Sequence, residues 1–434
     1  MAFDPDQVEC VGDLASLQRG NTYKSKLLGF PGPVLLGLAS IERGGGFRSD
    51  NLKTYGGDSP EKLRLYPGDI YVSLKDVTQA ADLLGAVVRV PNGVLGRLTQ
   101  DTVKLVMPDV PRNWKAYLYW LLRTPEYRAY CKANSMGTTN LSLSREDFLS
   151  YPVPPLSVER QHLITALESI ESRINHNRAL AANLESIARR LFKSWFIDFD
   201  PVRAKAAGEK PPGLADDIAE LFPDRLVESE LGEVPEGWYG KISDFSTNVR
   251  VGCTPSQFSS EDFYVGLEHF DRRCLTLWNG GSGDDATSNK SRFSKGDLLF
   301  GKLRPYFHKV AIAPADGICS TDILVIRCAE TAYREFMYFS LFQDDVIQFV
   351  SDASGGTRMP RTNWETLTGY DCVVPPQSIA FAFGKIVAPM IERMMQCVAE
   401  NEALSKIRDL LLPRLISGKL RVEDAEILIE EAIA

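Results

Sequence analysis

The chain has 434 residues, 44% hydrophobic and 24% charged, and its 49 basic and 57 acidic side chains give a net charge of −8 and a pI near 5.3. At roughly 150 residues per domain this length predicts two or three domains, each with its own core, and the composition excludes a disordered or collagenous chain. Taken at face value, the acidic balance argues against a polyanionic partner.

No uncharged apolar run reaches the ~18 residues of a membrane span, and the apolar stretch from Ile379 to Ile391 is interrupted by Lys385 and Pro389. Residues Met1 to Asp6 carry neither a basic n-region nor an apolar h-region, so no signal peptide is expected. Eight scattered cysteines without a C-x-x-C pair, and four well-separated histidines, speak against a structural zinc site. Free thiols fit the reducing cytoplasm, the expected location.

In chain order, residues 1–155 read as a β-rich first domain, with a strand predicted from Val8 to Leu14. It closes on Tyr151-Pro-Val-Pro-Pro155-Leu-Ser157, a strand-like segment and a double proline with Ser157 as an N-cap. The next segment, 156–200, is one long helix. Its positions 163, 167, 170, 174, 177, 181, 184, 188, 191 and 195 are Leu163, Leu167, Ile170, Ile174, Asn177, Ala181, Leu184, Ala188, Leu191 and Trp195. That four-three spacing is the seam of a coiled coil. About 41 residues at 1.5 Å each make a rod of roughly 60 Å, enough to hold two globular heads well apart. Residues 201–237, rich in Pro, Gly and acidic side chains, read as a linker.

The second domain, 238–376, repeats the first. Lys295-Gly-Asp297-Leu-Leu-Phe300 matches Pro67-Gly-Asp69-Ile-Tyr-Val72 at an offset of 228, and Asp371-Cys-Val-Val-Pro-Pro376-Gln-Ser378 matches the first double proline at 221. Leu191-Phe-Lys-Ser-Trp195 matches Leu411-Leu-Pro-Arg-Leu415 at 220. A tandem duplication follows. Adding 220 to the first seam gives Phe383, Val387, Met390, Met394, Cys397, Asn401, Leu404, Arg408, Leu411 and Leu415 in a second helix, 377–420, with Ser378 as its N-cap. Arg408 weakens this seam, and Pro389 is expected to kink or end its first turns. The two helices either bury each other, with Asn177 and Asn401 setting register, or pack independently on their own domains. An acidic tail, 421–434, ends the sequence.

Enzyme motifs fail one by one. Gly296-Asp-Leu-Leu-Phe-Gly301-Lys302-Leu303 approaches a P-loop, but Leu303 stands where Ser/Thr would bind magnesium and the intervening residues are strand-like. Gly281-Ser-Gly283-Asp-Asp285 reads as a loop. No Asn-Pro-Pro-aromatic run for adenine methylation appears, and His162 and His176 lie on the helix without a triad. What remains are basic, Gly-rich and aromatic loops. The first domain offers Arg43, Arg48, Asn51, Lys53, Thr138, Thr139 and Asn140. The second offers Arg272, Arg273, Lys290, Arg292, Lys302, Arg304, Tyr306, Arg358 and Arg361. Arg suits guanine edges, Asn adenine, and Lys and Thr phosphates. Taken singly, each cluster is more often just a solvated surface; their placement on variable loops of paired heads favours binding.

With those residues in view, the chain resembles the specificity (S) subunits of type I restriction-modification systems over essentially its full length. The resemblance rests on Leu191-Phe-Lys-Ser-Trp-Phe196-Ile-Asp-Phe-Asp200-Pro-Val-Arg-Ala-Lys-Ala, Ser229-Glu-Leu-Gly-Glu-Val-Pro-Glu-Gly-Trp238, Gly296-Asp-Leu-Leu-Phe-Gly-Lys-Leu-Arg-Pro-Tyr306, Cys319-Ser-Thr-Asp322 and Leu412-Pro-Arg-Leu-Ile-Ser-Gly-Lys419. The first domain lacks the Pro235-Glu-Gly-Trp238 entry of the second. The resemblance implies an α+β protein in which two mixed α/β target-recognition domains with β-rich cores are separated by two long helices. Those helices would pack as an antiparallel coiled coil with pseudo-twofold symmetry.

Each domain would read one half of a bipartite asymmetric site in double-stranded DNA, and the helices would dock two methyltransferase subunits. Restriction subunits would complete the complex. The chain itself would bind no cofactor; S-adenosylmethionine, ATP and Mg2+ would sit on the partners. Alternatives are an assembly scaffold that has lost sequence reading, and a stand-alone DNA-modifying enzyme. The charge distribution removes the opening objection. The linker holds 4 basic and 9 acidic residues and the tail 1 and 5, whereas the first domain holds 18 and 16 and the second 14 and 17. Near-neutral heads predict weak DNA binding by the chain alone.

Overall fold

The computed structural model describes residues 3–49, 52–77, 80–138, 140–354 and 359–418; the acidic tail lies outside them. Contacts divide the chain into two units. One runs to Ile174 and resumes at Glu402, and the other is Asn175–Asn401.

The first unit opens on a helical turn, α1 (Val11–Leu14), before strand β1 (Ser16–Arg19). The strand expected from Val8 to Leu14 is therefore displaced toward the C-terminus. The cause is Asp13, whose carboxylate accepts from the backbone N–H of Glu9 at 2.9 Å and of Cys10 at 2.8 Å, capping a turn that buries Val11 and Leu14. There follow β2 (Val34–Leu36), β3 (Arg64–Leu65), β4 (Ile70–Ser73), β5 (Val87–Arg89), β6 (Gly96–Leu98) and β7 (Thr102–Val106). Helices α2 (Arg112–Leu121), α3 (Pro125–Ala133) and α4 (Arg145–Leu149) complete the head.

The main sheet has the order β1-β7-β4-β5, antiparallel throughout, and a smaller sheet pairs β2 parallel with β6. Both faces of β4 are buried. Ile70 and Val72 meet the core that holds α2, while Tyr71 points to the core of the smaller sheet. The strand period of two thus serves two layers.

The second unit repeats this plan. A turn, α7 (Ile242–Phe245), is capped by Asp244, which accepts from the Lys241 N–H at 2.8 Å, as Asp13 caps α1. The main sheet joins β10 (Ser246–Val249), β18 (Ile323–Cys328), β15 (Leu298–Gly301) and β16 (Val310–Ile312) in that order, again antiparallel. A second sheet runs β11 (Gly252–Cys253), β14 (Lys290–Phe293), β17 (Gly317–Ser320), β12 (Phe263–Val265) and β13 (Gly281–Ser282), with β12 parallel to β17. Helices α8 (Arg334–Leu341), α9 (Asp344–Asp352) and α10 (Trp364–Thr368) match α2, α3 and α4.

The Gly-Asp turns ahead of β4 and β15 match in detail. Gly68 and Gly296 have φ of +87° and +85°, a region that favours glycine. Asp69 accepts from the Tyr66 N–H and binds Lys104; Asp297 accepts from the Ser294 N–H and holds Arg327 through two bonds of 2.7 Å. The apparent P-loop is this turn followed by a fully buried strand.

The region expected as a linker is ordered. It forms α6 (Asp200–Ala206) and a hairpin of β8 (Leu226–Ser229) and β9 (Gly232–Pro235). Val202, Phe222 and Val234 are buried in the same core as Trp195 and Trp238, which is why this Pro- and Gly-rich stretch adopts one conformation.

The long helices are α5 (Val158–Phe196) and α11 (Gln377–Leu411), followed by α12 (Arg414–Ser417). Ser157 caps α5, its hydroxyl accepting from the Arg160 N–H at 3.3 Å. Ser378 is not a cap. α11 begins one residue earlier, and the Pro376 carbonyl takes the N–H groups of Ile379 and Ala380. Nor does Pro389 end α11, because Pro389 and Lys385, whose carbonyl loses its partner, both face solvent.

In the first unit Leu163, Leu167, Ile174, Leu411 and Leu415 are buried, and Ile170, Leu404 and Arg408 half-buried. In the second, Asn177, Ala181, Ala188, Trp195, Phe383, Val387, Met394, Cys397 and Asn401 are buried, with Leu184, Leu191 and Met390 half-buried. There Asn177 Nδ2 donates to Asn401 Oδ1 at 3.0 Å and Glu400 Oε2 at 2.9 Å, while Trp195 meets Phe383 with ring centroids 5.9 Å apart. As numbers rise on α5 they fall on α11, so the helices run antiparallel and bury each other as well as the heads.

Candidate nucleic-acid interface

The end of β10, the first half of β18, parts of β11 and β14, the first turn of α10 and the adjoining loops enclose an open cleft of about 580 Å³ in the second head. Its polar groups include Asn248, Arg250, Asn289, Lys302, Asn363 and Glu365, over an apolar floor from Val249 and Val325. Strand alternation explains the mixture, since β18 sends Val325 to one core and Leu324 and Ile326 to the other.

The rim is held by side chains that satisfy one another. In the orientation that satisfies both ends, the Asn248 amide donates to the Val325 carbonyl at 3.3 Å and accepts from Arg250 Nε at 3.0 Å. Arg250 also reaches Glu365 at 3.1 Å. Backbone bonding and the Arg250 contact hold the Glu365 carboxyl below its usual range. Asn363 caps α10, its Oδ1 accepting from the Thr366 N–H at 2.7 Å, which leaves its NH2 group free of that bond. Burial lowers the pKa of Lys302, and the nearby Arg361 charge lowers it further.

Two candidate clusters distant in sequence come together here. Leu303 pairs with Arg361 in an antiparallel bridge, the Thr362 N–H donates to the Lys302 carbonyl at 3.0 Å, and the Arg304 N–H to the Pro360 carbonyl at 2.8 Å. Lys302, Arg304 and Arg361 therefore share one ridge, with Arg361 paired to Asp322. Tyr306 is 53% exposed at the tip of the next turn, beside Phe307, whose ring lies 3.9 Å from the Arg272 guanidinium.

Other candidates are placed differently. Lys290 is buried, and its ammonium donates to the Ser288 carbonyl at 2.8 Å and hydroxyl at 2.9 Å, so it fastens its loop instead of projecting. Arg292 pairs with Asp262 at 3.4 Å, and Arg273 with Asp344 at 2.7 Å. In the first head Arg43 is well exposed, 3.8 Å from Asp82, and Arg48, Lys53, Thr138 and Asn140 are exposed on loops. Asn51, Thr139 and Arg358 lie outside the described residues.

The cleft also contains residues that sequence reasoning missed, chiefly Asn248, Arg250 and Trp364. The available signal was topological. They lie where segments far apart in the sequence meet, β10 pairing with β18 and Arg250 reaching Glu365, 115 residues on.

Among the described residues no group of three or more His, Cys, Asp and Glu could hold a metal ion, and all eight cysteines are free thiols. The site is built from amides, guanidinium groups and hydroxyls, with the Lys302 ammonium and the Glu365 carboxylate beside them.

No protein-family model matches the chain. It is 27% identical over 383 aligned residues to the HindI specificity subunit of Haemophilus influenzae, covering 74% of this chain and 79% of that one. Similarity to the MjaIX specificity subunit of Methanocaldococcus jannaschii is 25% over 318 residues, covering 71% of this chain and 69% of the relative. The crystal structure of a type I S subunit from M. genitalium shares the fold, with a TM-score of 0.52, 14% identity and 94% coverage of each chain. The class these findings define is a duplicated α+β protein with a long helix pair. Its curated homologues are the specificity subunits of type I restriction enzymes.

Proposed function

We propose that this chain is the non-catalytic, DNA-reading subunit of a type I restriction-modification complex. The observation that carries the reading is the repeated head. The same four-strand order, the same capped turn and the same Gly-Asp-cation lock occur twice in one chain. A duplicated binding module suits a bipartite site whose halves differ in sequence, because the lock is common while the loops around it differ. In the second head the cleft beside β18 offers Asn248, Asn289 and Asn363 for adenine edges and Arg250 for guanine.

Methyltransferase subunits would dock on the chain and restriction subunits would complete the assembly, and S-adenosylmethionine, ATP and Mg2+ belong to those partners. No helix among the described residues is long and apolar enough to cross a membrane, and a complex acting on DNA would work in the cytoplasm.

The test is a binding assay with the full chain and its methyltransferase partner on duplexes carrying variants of each half-site. Replacing Arg250 and Asn363 with Ala should lower discrimination within one half-site by roughly 1–3 kcal/mol per lost bidentate contact and leave the other half-site unaffected. Equal loss on every sequence would mean that the cleft holds phosphates and does not read bases.

A further inference from the structure

The part of α5 that lies in the second unit has an unusual charge distribution. From Asn177 to Phe196 its ionisable groups are Arg178, Glu185, Arg189, Arg190 and Lys193, whereas Glu159, Glu168 and Glu171 all lie in the first unit. The single carboxylate of the later stretch, Glu185, is buried and accepts from the Leu275 N–H at 3.0 Å, with Arg189 at 3.8 Å. Burial raises its pKa. The four cations, with Arg273 and Trp278 of the adjoining head, line a cleft of about 440 Å³.

Several of these cations also meet neighbours outside the helix. Arg273 meets Asp344, Lys193 meets Asp198, and Arg189 lies 5.0 Å from the Phe342 ring. Arg178 stands 5.9 Å from the Trp278 ring. Arg190 pairs with no carboxylate among the described residues. Behind Asp344, His308 is buried; burial and the Arg273 charge push its pKa down to about 4, so it is neutral at physiological pH. Among the residues lining the cleft, the cations Arg178, Arg189, Arg190, Lys193 and Arg273 stand against one carboxylate, the buried Glu185.

We infer that this cleft is a second nucleic-acid contact of the chain, taking the sugar-phosphate backbone of duplex DNA and not its bases. The inference rests on the DNA-reading function proposed above. Arg178, Arg189 and Lys193 lie on one side of α5, at spacings of three turns and one turn. From Arg178 to Lys193 the helix advances about 22 Å, equivalent to about six phosphate steps of one strand at 3.4 Å each. Guanidinium and ammonium groups neutralise phosphates but carry little of the donor-and-acceptor pattern that distinguishes bases.

Arg190→Ala with Lys193→Ala tests it in the full chain, assembled with its methyltransferase partner. Both positions lie away from the buried seam, so helix content by circular dichroism should be retained. Affinity is measured by fluorescence anisotropy at several salt concentrations, on duplexes with and without the preferred site. The expected result is an equal loss on both duplexes, with the slope of log K against log salt shallower by about 1–2 and the discrimination ratio unchanged. An unchanged slope and affinity overturns the inference. So does a change in discrimination, which would make this a base-reading surface, or a loss of partner docking at unchanged slope, which would make it a protein interface. If the wild-type complex binds duplexes without discriminating between them while the variant still lowers the slope, sequence reading fails and the backbone contact stands. Absence of any wild-type DNA binding removes both.

Discussion

Two small groups of residues decide how each head meets the long helices, and they differ in chemistry. In the first unit Arg89 forms two bonds with Glu168, of 2.6 and 2.7 Å, and reaches Glu171 at 3.3 Å. Trp120 donates to Glu168 at 2.6 Å, and Arg123 to Glu171 at 2.7 Å. In the second unit the corresponding work is done by Phe192, Phe196, Phe336, Phe339 and Phe383, packed ring on ring. The ionic junction makes the first unit the more pH-sensitive. Burial acts to raise the Glu168 pKa, but its bonds to Arg89 and Trp120 outweigh burial and the net shift is downward. A depressed carboxylate stabilises the fold above its unfolded pKa, about 4.3, and that contribution is lost as pH falls through the lower folded value. Arg89→Ala should therefore cost about 2 kcal/mol at pH 7, below the range for a fully buried pair because both groups are partly exposed. Urea unfolding at pH 7 and pH 3 checks this; a cost at pH 3 as large as at pH 7 contradicts it.

At the scale of elements, α11 carries Pro389 within a helix continuous from Gln377 to Leu411. An interior proline is about 3 kcal/mol less favourable than alanine, and here the surrounding core holds the helix against that penalty: Phe383, Val387, Ile391 and Met394 are all buried. Pro389→Ala should restore the bond to the Lys385 carbonyl and raise the thermal midpoint, monitored by far-ultraviolet circular dichroism; a lowered midpoint would show that proline shapes the helix for packing. The same element shows what was legible in the sequence. The four-three apolar spacing located both helices, and the Asn177–Asn401 pair was readable because a polar residue in an apolar seam needs a partner. The continuity of α11 was not readable, since local propensity argues for a break and only tertiary burial reverses it. α1 was misjudged because its cap depends on a single carboxylate reaching back three and four residues. The cleft beside β18 was hidden for a different reason. Its walls come from strands and loops joined by non-local pairing, such as Ser246 with Cys328 and Leu303 with Arg361.

At the scale of the whole chain, duplication is the governing fact. Strand order, capped turn and Gly-Asp turn were retained in both heads, while loop sequences diverged; the cleft beside β18 combines residues from several of those loops. The negative total charge is concentrated in residues 201–237 and in the tail, which leaves two near-neutral heads and a basic strip on α5. That distribution favours a chain that selects DNA by pattern and gains part of its grip from partners. The most direct measurement is selection from a randomised duplex library by the chain assembled with its methyltransferase partner, followed by sequencing of the retained DNA. Two specified blocks separated by an unspecified spacer of constant length are predicted, and exchanging residues 238–376 for the matching domain of a relative should change one block only. A single contiguous block, or no enrichment at all, would contradict the account.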